Sequence, residues 1–121
     1  MTPAARISSA IEIFAQIADQ RLPAAEAMRE WGRKNRYAGA KDRAAIASIV
    51  YDALRTRASS GFLMADASAR GIVLGALKQA RGMAAGEIAS LCSGEKHAPA
   101  ALTAGERARL ETATLDGAPA H

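Results

Sequence analysis

The chain has 121 residues, half of them hydrophobic and only 4% aromatic, with 16 basic against 12 acidic side chains for a formal charge of +4. That length suits one domain able to bury its own core, and a single cysteine, Cys92, excludes an internal disulfide and points to a reducing, cytoplasmic compartment. No apolar run approaches the roughly 20 residues of a membrane span, and no separate hydrophobic segment precedes the amphipathic pattern after MTPAARISSA, so neither a membrane span nor a secretory signal is expected.

Pro3 suits a first helical turn, and Ile7, Ala10, Ile11, Phe14, Ile17 and Ala18 recur at helical spacing, which predicts a helix over about residues 3–20. Leu22-Pro23 marks a turn, because the residue before proline is pushed out of the helical region. Pro23 then opens a second helix with Ala24, Ala27, Met28 and Trp31 inward and Glu26–Arg29 and Glu30–Arg33 as outer-face pairs, fraying at Gly32. Trp31 falls on the core stripe. After the loop GRKNRYAGA, a third helix starts near Lys41-Asp42, with Asp42 favoured by the dipole at its start and Arg55 and Arg57 at its end. Its stripe of Ile46, Ile49, Val50, Ala53 and Leu54 is the strongest periodic signal in the chain.

A short piece at Ser60–Met64 precedes a helix capped by Asp66 or Ser68, with Ala69, Val73, Ala76, Leu77 and Ala80 inward and Gly82 as its stop. A further short helix over about Ala85–Cys92 buries Ile88, Leu91 and Cys92. Thr103 and Glu106 form a capping box for a last helix reaching about Thr114. No strand pattern and no internal repeat occur. Short, Ala-rich helices with short connections predict an irregular all-α bundle.

Little here converges for catalysis. Cys92 lies on an apolar face as a small hydrophobe, while His97 and His121 are isolated, so neither a nucleophile–base pair nor a structural zinc site is expected. No phosphate-binding glycine loop is present. The charge is more informative. Between Arg29 and Arg43 stand Arg29, Arg33, Lys34, Arg36, Lys41 and Arg43 against only Glu30 and Asp42, a local surplus equal to that of the whole chain. A glycine-flanked basic loop with Tyr37 in its midst offers phosphate contacts and an aromatic ring for an unpaired base, so Arg29, Arg33, Lys34, Arg36, Tyr37, Lys41 and Arg43 are the candidate RNA-binding residues. For Arg43, at the rim of the third helix's stripe, a snorkelling or ion-paired role is the competing reading.

The stretch KDRAAIASIVYDALRTR resembles the third-helix signature of the NusB-like domain that opens RsmB/Sun-type RNA (cytosine-5) methyltransferases. Asp42, Arg43, Val50, Tyr51, Leu54 and Arg55 carry the resemblance, with WGRKNRYAGAKDR before it and GIVLGALKQARGM and EKHAPAALTAGERARL after it. The resemblance implies a NusB-like helical bundle of two subbundles over residues 1–115, with residues 116–121 beginning a linker to a methyltransferase domain. It implies an RNA-binding accessory domain of an S-adenosylmethionine-dependent rRNA 5-methylcytosine methyltransferase, without catalytic residues of its own. S-adenosylmethionine is expected in the following domain and no cofactor in this chain; Cys92 matches neither catalytic cysteine of the family. The implied partners are rRNA, the methyltransferase domain of the same polypeptide and, since NusB-like proteins self-associate through helical faces, a second copy in a homodimer. Two alternatives remain open: a free-standing NusB-like antitermination factor binding single-stranded RNA with a ribosomal protein, and a bundle that docks only on protein.

Overall fold

Polar side chains begin several of the helices. In the computed structural model, which describes residues 1–121, the Thr2 hydroxyl accepts the Ala5 N–H (3.1 Å) and starts α1, Pro3–Gln20. Ser68 accepts from Gly71 (3.1 Å) at the head of α5, Ala69–Gln79. Thr103 and Glu106 exchange hydrogen bonds with each other's backbone at the head of α7, Ala104–Thr112. Each cap satisfies a donor that the helix itself leaves free. Asp66, the other cap considered for α5, instead accepts from the Ser68 N–H. The remaining helices are α2 (Ala24–Lys34), α3 (Ala40–Arg55), α4 (Arg57–Met64) and α6 (Ala85–Leu91), and there is no strand. No helix is long and apolar enough to cross a membrane.

α5 lies at the centre and packs on α1, α3, α4 and α6. Every residue from Gly71 to Leu77 is therefore buried, where the sequence pattern predicted a one-sided stripe; Ile72 and Leu74 join the core, while Ala69 is half-buried and Ala80 is exposed. Glycines make this crowding feasible. A methyl on Gly75 would lie 2.5 Å from the Ser60 carbonyl oxygen, and one on Gly71 would collide with Asp66. One continuous apolar cluster runs from Ile7 on α1 through Ile46 and Val50 on α3 to Leu110 on α7. It includes Ile13, which the α1 pattern missed, as well as Trp31 and Cys92, both buried as their spacing predicts. The Trp31 indole N–H is buried without a hydrogen-bond partner. Burial raises the Cys92 thiol pKa against the opposing pull of Arg70.

The segment expected to be a short piece at Ser60–Met64 is a helix from Arg57 onward. The first half of its inner face is polar, ahead of the buried Leu63 and Met64, which hid its start from a hydrophobic period. Ser59 and Ser60 are buried, Gln79 donates to both hydroxyls (3.0 and 2.8 Å), and Thr56 donates to the Asp52 carbonyl (2.8 Å) where α3 gives way to α4. A satisfied buried hydroxyl costs little, so this network substitutes for apolar packing. The Arg57 guanidinium sits 5.5 Å from the Phe14 ring centroid, a cation–π contact over an otherwise fully buried ring. Residues 113–121 are irregular, and the His121 Nδ1 lies 2.5 Å from the Ser59 hydroxyl.

Candidate nucleic-acid interface

α2 runs two residues beyond the glycine that suggested its end, and that extension builds the site. The helix passes through Gly32 to Lys34, and Asn35 closes it by donating its side-chain amide to the Trp31 carbonyl (2.8 Å). Gly32 lies beside the Arg43 side chain: a methyl there would meet its Cδ at 3.6 Å, an ordinary contact. With the helix intact, Arg29 and Arg33 stand at i and i+4, so they share one face. Glu30 consequently pairs with Lys34 (3.3 Å) rather than with the expected Arg33, and Glu26 has no ion pair with Arg29.

On the facing side, α3 begins at Gly39-Ala40 and presents Arg43, the small Ala44 and Ala47, and Tyr51, the last three on one face toward the gap. α2 packs chiefly on α1 and stands off α3. The gap is a groove of about 650 Å³, with Ala25, Gly32, Ala44 and Ala47 among its lining and Arg29, Arg33, Arg36 and Arg43 around it. No carboxylate lines it. Of the four arginines, only Arg43 has a protein acceptor, the Ala38 carbonyl at 3.4 Å, and none forms an ion pair. The ion-paired alternative for Arg43 is thereby corrected: its side chain runs past Gly32 into the groove.

The acids of this stretch are turned away. Asp42 takes both Nε and Nη2 of Arg6 on one oxygen (3.0 and 2.8 Å) and the N-terminal ammonium on the other (3.5 Å). The Arg6 hydrogen bond holds its carboxyl below the usual range, with the N-terminal charge adding to it against partial burial. Asp42 therefore ties α3 to α1 and leaves the groove's positive charge uncompensated.

Three of the seven candidate residues lie outside the groove. Lys34 is engaged with Glu30, Lys41 projects from the exposed first turn of α3, and Tyr37, 71% exposed, lines a different depression against α1. The ring inside the arginine groove is Tyr51, 46% exposed. Its spacing of eight residues from Arg43 on one helix placed it there, but that face becomes meaningful only beside α2.

No family model, curated protein or solved structure matches this chain. No three His, Cys, Asp or Glu side chains come together to hold a metal. The arrangement suits electrostatic recognition: four delocalised, permanently charged guanidinium groups, a flat aromatic ring, and a shallow floor. Guanidinium forks bind phosphate oxygens two at a time.

Proposed function

We propose that this chain is an RNA-holding helical domain whose α2–α3 groove grips consecutive phosphates of a single strand. The observation that carries the reading is the convergence of Arg29, Arg33, Arg36 and Arg43 on one groove from which every carboxylate is absent. Taken with the resemblance in α3, the reading extends to a NusB-like accessory domain over residues 1–115 of an S-adenosylmethionine-dependent rRNA 5-methylcytosine methyltransferase. The domain retains rRNA while a methyltransferase domain of the same polypeptide reacts. A free-standing NusB-like factor would use the same groove.

Binding of single-stranded RNA across a salt series tests this. Four phosphate contacts predict a slope of log affinity against log salt of about −3, since each contact on a single strand contributes roughly −0.7. Arg33→Glu with Arg36→Glu is expected to weaken binding on the order of 30-fold at low salt and to flatten the slope, with the helical spectrum unchanged. No RNA binding at low salt overturns the reading.

A second reading has its own support. Met28 and Tyr51 accompany the arginines, and Arg, Met and Tyr are enriched where proteins dock on proteins. On that reading the groove receives an acidic face of a folded partner. RNA then binds no better than heparin does, while the isolated methyltransferase domain binds and is released by the same two substitutions.

A further inference from the structure

Arg36 and Tyr37 are consecutive, yet they line different depressions: Arg36 the arginine groove, Tyr37 a polar one formed with Ser8 and Glu12 of α1 and with Lys96 and His97 of the α6–α7 loop. The two-residue step crosses the crest of the loop between α2 and α3. In a single-stranded nucleic acid, phosphate and base lie on opposite sides of the sugar, so a strand with a phosphate on Arg36 can turn its base across this crest toward Tyr37.

The second depression is lined by polar side chains and one exposed aromatic ring. Tyr37 donates its hydroxyl to Asn35 Oδ1 (3.3 Å), and Asn35 is itself anchored to the Trp31 carbonyl, so the phenol is tethered by its edge while its faces stay open. His97 is held at φ 69°, a left-handed conformation that costs a non-glycine residue about 1 kcal/mol or more. The surrounding turn is closed by Ala98 N–H to Glu95 (3.0 Å) and Gly94 N–H to Pro99 (2.9 Å). Glu12 and Lys96 line the depression without an ion-pair partner. Its volume of about 610 Å³ lies within the usual span of small-ligand sites, roughly 300–1,000 Å³.

We infer that this depression is a base subsite that takes one unpaired guanine, stacked on Tyr37 with its Watson–Crick edge toward Glu12. The inference rests on the RNA reading above. The choice of base follows from the donors available: guanine presents N1–H and N2–H side by side, matching the two oxygens of a carboxylate. Adenine and cytosine offer a single amino group beside a ring acceptor. Uracil offers one N–H between two carbonyls that repel a carboxylate. Unpaired bases are recognised in this way, by stacking and by their Watson–Crick edges.

The test is a set of short single-stranded RNAs, all-uridine or with one central guanosine, titrated against the full chain. The guanosine RNA is expected to bind about 10-fold more tightly, in line with one stacked and hydrogen-bonded base. Tyr37→Ala should remove most of that advantage, weakening the guanosine RNA several-fold more than the all-uridine one, with the salt slope unchanged. Tyr37→Phe, which keeps the ring, should retain it. Glu12→Gln raises affinity for every RNA by removing a negative charge, so its readout is the guanosine-to-uridine ratio, expected to fall toward one. Equal binding of both RNAs, indifferent to Tyr37→Ala but still weakened by the Arg33/Arg36 reversal, overturns the base subsite and leaves the phosphate groove standing. Failure of both RNAs to bind at low salt overturns both.

Discussion

Two parts of this molecule carry arginines in opposite ways. At the corner of α4, α5 and α7, each cation is spent on the fold. Arg70 meets Glu106 through Nε and Nη2 (2.8 and 3.0 Å) and also reaches the Ala100 carbonyl (2.9 Å). Arg109 donates to the carbonyls of Leu63 and Phe62 at the end of α4, and Lys78 donates to that of Ala113 at the end of α7 (2.8 Å). The Leu63 and Ala113 carbonyls are of the kind that helix ends leave without intrahelical partners. Around the α2–α3 groove, by contrast, Arg29, Arg33 and Arg36 have no protein acceptor, and Arg43 has only a long one. Like charges gathered without counter-ions destabilise a fold slightly and attract an anion strongly. The difference separates cations that hold the structure from cations that the fold leaves unpaired.

The sharpest test of the first region is steric. Gly75→Val forces a branched side chain against the Ser60 carbonyl and is expected to cost about 3 kcal/mol, read as a lower denaturant midpoint. Next comes the ion pair. Arg70→Ala leaves Glu106, whose side chain is only 15% exposed, without its cation, a loss of about 2 kcal/mol in the same measurement.

The pair also predicts a pH response. The Arg70 hydrogen bond lowers the Glu106 pKa, as Arg6 lowers that of Asp42. A carboxyl whose folded pKa is depressed contributes stability that is fully present above its unfolded value, near pH 4, and is lost as pH falls through the folded value. Stability should therefore decline below about pH 4, and Glu106→Gln should make that decline shallower in an acid titration followed by helical signal.

The smallest effect is expected in the groove. Arg33→Glu with Arg36→Glu should change stability by no more than about 0.5 kcal/mol, because both side chains are exposed and unpaired. A loss as large as that of Arg70→Ala would erase the contrast between the two regions.

The helices themselves were largely legible from local chemistry. Pro3, Ser68, Thr103 and Glu106 sit where caps and first turns need them, and the α1 and α3 stripes fall close to their predicted places. The misses share a cause. The start of α4 was hidden because its first buried residues are Ser59 and Ser60, satisfied by Gln79 from another helix, ahead of the apolar Leu63 and Met64. α5 was read as one-sided because periodicity cannot reveal that neighbours cover both sides. α2 was ended too early because Gly32 looks like a stop, whereas the helix runs on to Lys34 and is closed by the Asn35 side chain on the Trp31 carbonyl.

The candidate site divides along the same line. By itself the sequence determined that the surplus charge lies between Arg29 and Arg43 and that these residues flank a helix start, since composition and helical period are local properties. Which cations act together was decided only by tertiary structure. The stand-off of α2 from α3 gathers four arginines and Tyr51, the Glu30 and Arg6 pairings remove Lys34 and Asp42 from the field, and the loop crest sends Tyr37 to the far side. Convergence of side chains across separate helices depends on how those helices pack, and packing is settled by the shared core rather than by any one segment's pattern.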